Sequence, residues 1–224
     1  MTQKTINLIY NAVLYIYLLS MLFACICCIY RFKMLDTASK ILAILICCAF
    51  LNEGAAFYMA KKYHNNLPLY AVYGLLEYAL LCVYFNKVID VFIKNNIGFY
   101  IALAGVILGI LNILYVQHLN NINSYFLLFE GLAVIGMSLF AFFRLLLKND
   151  SLNLYRYHHF WFISVLIFFW CITFFSWGLY NYINQRYFRS ALNINIALTL
   201  CSTVTYSCFG CIFLLYPKMQ KPNE

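Results

Sequence analysis

Charge is what this sequence most lacks. Only 10% of its 224 residues are charged and 65% are hydrophobic, whereas a soluble domain carries about 25% charged residues. A water-soluble fold of this length is excluded, and a mean hydropathy of +0.81 agrees. Proline is nearly missing too, at three residues. Pro68 opens an apolar run, where its absent N–H costs nothing, and Pro217 and Pro222 lie beyond the last run. The proline-broken midplane helices of many secondary transporters are therefore absent.

Histidine is scarce and badly placed for chemistry in a membrane. His64, His118, His158 and His159 all fall in loops or at the edges of apolar runs. Gly136 and Ser138 match a short serine-protease pattern, but no mid-membrane histidine could activate the serine. His158 and His159 offer a metal or haem ligand pair at the cytoplasmic face, but two adjacent histidines without further ligands read more simply as interfacial residues. The last apolar run has no lysine for a Schiff base, and no P-loop or GxGxxG is present. No nucleophile–base or metal set remains, so the sequence predicts neither an enzyme nor a cofactor.

Cysteine is plentiful but lies only inside apolar segments. All ten read as free thiols filling space, not as a disulfide framework. Cys25 and Cys28 have CxxC spacing, yet no further ligand accompanies them. The net charge of +8 does not imply nucleic acid, because the basic residues are dispersed at segment ends.

What remains is a set of apolar runs. Seven are long enough to span a bilayer: 7–30, 41–60, 67–86, 98–117, 125–147, 159–181 and 191–216. The first is too long for a signal-peptide core and is expected to stay as a span. Residues 1–224 thus read as one all-α domain, a seven-helix transmembrane bundle in the cell's inner (cytoplasmic) membrane. Its first partner is the lipid bilayer. Ten Lys and Arg flank the segment ends on one side and five on the other. The positive-inside rule then puts the N-terminus outside and the C-terminus in the cytoplasm.

Polar residues within the spans gather in the outer half. Glu77 lies about ten residues into the third span, roughly 15 Å deep and near the bilayer centre. An acid there is costly and marks a functional site by default. Tyr70, Tyr73, Glu77 and Tyr84 share a helix face. Glu53, with Asn52 beside it, sits in the second span on a small-residue face of Ala49, Ala56 and Ala60. Glu130 is about five residues into the fifth, shallow enough to be solvated. Tyr10 and Tyr15 stand in the outer half of the first span, and Tyr180 and Asn195 border the outer ends of the last two. Asn112, Thr199 and Ser202 read as glue between helices. Trp161 and Trp177 read as interfacial anchors. Gly105 and Gly109 read as a packing face.

Polar groups in hydrocarbon must face one another or water. The expectation is an outward-facing acidic pocket over an apolar floor, bordered by Glu53, Glu77, Glu130, Asn52, Tyr70, Tyr73, Asn195 and Tyr180. Such a pocket suits a sensor or receptor-like subunit for a small molecule or cation. It would signal through a separate cytoplasmic partner or a second copy of the chain. The alternative is a small secondary transporter or channel with Glu77 as proton or cation carrier.

Overall fold

A computed structural model describes residues 3–119, 121–148, 154–186 and 188–218, with side chains described for 10–119, 121–147, 154, 156–178 and 193–218. Its helices are α1 (Gln3–Arg31), α2 (Thr37–Tyr63), α3 (Leu67–Val88), α4 (Asp90–Asn95), α5 (Ile97–Tyr115), α6 (Ser124–Lys148), α7 (His158–Arg186) and α8 (Phe188–Leu215). Seven are long and apolar enough to cross a membrane, and only α4 is not. The chain is therefore an all-α, multi-pass membrane protein.

Local chemistry moves some boundaries from their expected places. Helix α2 starts at Thr37, four residues before its apolar run, because Asp36 caps it: Asp36 Oδ1 accepts the Ser39 N–H at 2.9 Å. It ends at His64, which adopts the left-handed region at φ 54°. The span expected to begin at Gly98 is preceded by the short helix α4. Asp90 opens α4, accepting the Val91 N–H at 2.9 Å and a two-pronged contact from Arg144 of α6 at 3.1 and 2.8 Å. Asn96, at φ 51°, turns the chain from α4 into α5.

Helix α1 packs on α2 and α8, α2 on α3, α3 on α6, α6 on α7, and α7 on α8. These contacts close a ring of six helices. Helix α5 lies outside it, against α3 and the edge of α6. Glycine makes that approach possible. A Cβ on Gly98 would fall 2.5 Å from Asn86 Cβ and 2.7 Å from the Cys82 carbonyl oxygen. Gly105 faces Tyr78 in the same way, and Gly109 faces Leu75 and Phe126. Buried Asn86 holds the start of α5 by accepting the Gly98 N–H at 3.0 Å.

One half of the ring carries a buried core. Cys28, Leu42, Leu81, Phe85, Phe162 and Phe213 are fully buried there. They fill the half nearest the α1–α2 connection and the start of α7. The other half encloses a cavity.

Candidate functional site

The cavity measures about 480 Å³, within the range of small-molecule sites. All six ring helices border it, as do residues 121–123 of the α5–α6 connection, while α5 contributes nothing. It reaches the end of the bundle where Asn66 and Asn121 stand. Six of the eight expected site residues border it: Asn52, Glu53, Tyr70, Tyr73, Glu77 and Asn195.

Glu53 is held at both oxygens. The Tyr17 hydroxyl donates to Oε1 at 3.0 Å and the Tyr70 hydroxyl to Oε2 at 2.9 Å. Three helices, α1, α2 and α3, therefore meet at one carboxylate. Tyr17 in turn lies against Tyr206 of α8, with ring centroids 5.9 Å apart. Glu77 sits one helical heptad below Tyr70 and faces the same space. Phe126, Phe169, Trp170 and Trp177 add aromatic wall. Among the described residues no Lys, Arg or His lines the cavity.

The other expected positions differ. Glu130 does not border the cavity and is not solvated: it is 0% exposed, and neither carboxylate oxygen has a hydrogen-bond partner among the described residues. Depth along the helix suggested water. The facing of the helix decides otherwise, placing Glu130 in the electrostatic neighbourhood of Glu77, Tyr73 and Tyr78. Tyr180 lies outside the described side chains. Tyr15 points outward at 67% exposure. Its place is taken by Tyr17, which follows Tyr10 by seven residues, a helical spacing that was readable in advance. Trp177 also lines the cavity.

Asn112 ties α5 to the α5–α6 connection and not to another helix, donating to Gln117 Oε1 at 3.3 Å and to Asn123 Oδ1. Thr199 and Ser202 do not reach another helix either. Their hydroxyls return to carbonyls of their own helix, Asn195 O at 2.7 Å and Leu198 O at 3.0 Å. A hydroxyl four residues on finds that carbonyl without help from a neighbouring helix.

A second polar cluster stands at the opposite end. Asp36, His158 and His159 bring their ligand atoms within 4.8 Å of one another. The two histidines stand in the first turn of α7 and are buried in protein, at 0% and 2% exposure. His159 Nε2 lies 3.0 Å from Asp36 Oδ2, and His158 Nε2 lies 3.8 Å from Oδ1. The Tyr216 hydroxyl is 3.2 Å from Asp36 Oδ1 and accepts the Asp36 N–H at 3.0 Å. Burial opposes charge on Asp36, but the interactions with His158 and His159 outweigh it and hold the carboxyl well below the usual carboxylate range. Tyr84, two turns below Glu77 on the same face of α3, meets His159 Nδ1 at 3.4 Å. One face of α3 thus serves both clusters.

Comparison of the chain with protein-family models, with curated proteins and with solved structures gives no match.

Proposed function

We propose that this membrane protein binds a small organic cation in the cavity and acts as a sensor or receptor-like subunit. The observation that carries this reading is the lining itself. Two carboxylates, Glu53 and Glu77, face a space walled by Tyr, Phe and Trp, with no basic side chain among the described lining residues. Carboxylates attract a positive charge, and aromatic faces add cation–π attraction. The apolar share of the wall suits a ligand with a hydrocarbon or aromatic body next to its charged group.

Sensing is favoured over passage by what lies beneath. Between the cavity and the Asp36 end stand the buried apolar side chains Cys28, Leu42, Leu81, Phe162 and Phe213. A carrier would have to open that layer. A sensor needs only to shift helices around the ligand and hand the shift to a separate partner. The excess of basic residues at the far end supports a cavity opening away from the cytoplasm.

The test is binding of phenethylammonium, with 2-phenylethanol as the uncharged match, to the full chain in detergent by titration calorimetry. The cation should bind and the alcohol should not. Glu53→Gln and Glu77→Gln should each weaken binding about tenfold or more, the effect of losing a desolvated charge partner. Equal binding of both probes, or unaltered binding in the two variants, would overturn the reading. Uptake of the bound cation into liposomes carrying the protein would support the carrier alternative.

A further inference from the structure

We propose that Asp36, His158 and His159 form a binding site for a divalent transition-metal ion, with zinc the best match. The proposal is independent of the cavity. Asp36 comes from the α1–α2 connection and the histidines from the first turn of α7, more than a hundred residues later. Folding brings three metal-ligating side chains from distant sequence to one point.

The geometry fits an ion. Donors bound tetrahedrally at about 2.0–2.1 Å stand about 3.3 Å from one another. His159 Nε2 stands 3.0 Å from Asp36 Oδ2 and His158 Nε2 3.8 Å from Asp36 Oδ1, on either side of that value, and one ligand atom from each of the three residues lies within 4.8 Å of the others. Small rotations of the side chains would bring all three donors to bonding distance. The donor set is two imidazole nitrogens and one carboxylate. That composition suits zinc and its neighbours, whereas calcium and magnesium prefer oxygen alone.

The surroundings are those of a metal ligand set. The ring nitrogen of His159 that faces away from Asp36 meets the Tyr84 hydroxyl at 3.4 Å. A partner on the far nitrogen of a ligating histidine fixes its tautomer and orientation. Asp36 is turned inward by its own backbone, which donates to Tyr216, and by its cap on α2. The Tyr216 hydroxyl belongs to the same cluster, 3.4 Å from His158 Nε2 and 3.2 Å from Asp36 Oδ1. A bound ion would join the start of α2 to the start of α7.

The experiment uses the full chain in detergent, stripped with a chelator and dialysed. Cobalt is titrated first, because tetrahedral nitrogen and oxygen ligation gives it strong visible absorption. Zinc is then titrated in competition with a chromophoric chelator, and elemental analysis gives the stoichiometry. One ion per chain is expected. His158→Gln and His159→Gln should each lower zinc affinity by about 100-fold or more. Tyr84→Phe, which touches only the far side of a ligand, should lower it about 10- to 100-fold. Thermal melts in chelator establish that each variant folds. Stripped wild type that takes up neither cobalt nor zinc would overturn the site. So would folded histidine variants that bind zinc as well as wild type. If the histidine variants do not fold, the wild-type titration and Tyr84→Phe decide, and unaltered affinity in Tyr84→Phe counts against the site.

Discussion

Tyr70 of α3 donates its hydroxyl to Glu53 of α2 across 2.9 Å, while Tyr17 of α1 holds the other oxygen of the same carboxylate. The charge of the cavity is therefore fixed in position by two phenols from two different helices. A carboxylate held this way presents its remaining lone pairs to the cavity.

The clamp should be measurable as stability. Tyr17→Phe and Tyr70→Phe each remove one hydrogen bond and leave the ring in place. Each should cost about 0.6 kcal/mol, the average for an interhelical hydrogen bond in a membrane protein. Because both phenols share one acceptor group, the double variant should be non-additive. Unfolding in mixed detergent checks it. Strict additivity would show that the two bonds are independent.

Glu130 should behave in the opposite way. It is fully buried without a hydrogen-bond partner among the described residues, and an unsatisfied buried polar group costs about 1–3 kcal/mol. Glu130→Met keeps the volume and removes the polar atoms, so it should raise stability by about 1 kcal/mol. Thermal melts of the two proteins compare them directly. A lower melting temperature would mean that the acid makes an interaction worth more than its burial.

The glycines of the bundle separate into two kinds. Gly98→Ala forces a methyl into the backbone of α3, where the Cys82 carbonyl cannot move aside. It should cost about 1–3 kcal/mol, as overpacking does. Gly54 and Gly136 have nothing within 4 Å of an added Cβ. Alanine there should be neutral or stabilise by up to about 1 kcal/mol through helix propensity. The same unfolding assay ranks all three. A harmless Gly98→Ala would place α5 away from α3.

Orientation has a direct readout at the mouth of the cavity. Asn121 is exposed there. Asn121→Cys should react with an impermeant maleimide in whole cells, in a background whose accessible native thiols are replaced. Reaction only after lysis would turn the cavity toward the cytoplasm.

The seven spans were readable from sequence because a bilayer demands a minimum length of apolar residues, whatever packs against them. Charge scarcity and short connections left no room for another class of fold. Glu53, Glu77, Tyr70 and Tyr73 were also readable, since an acid in hydrocarbon is conspicuous and helical spacing puts its neighbours on one face. Tertiary structure decided the rest. Span length says nothing about which helix is left out of the ring, and the close approach at Gly98 settles that on α5. Depth along a helix does not tell whether a side chain faces water, so Glu130 was misplaced. Nothing in the sequence singled out Asp36, and His158 and His159 read as adjacent histidines at a helix edge. Only the fold sets Asp36 Oδ2 at 3.0 Å from His159 Nε2, 123 residues along the chain. No local pattern encodes a contact that long-range packing creates.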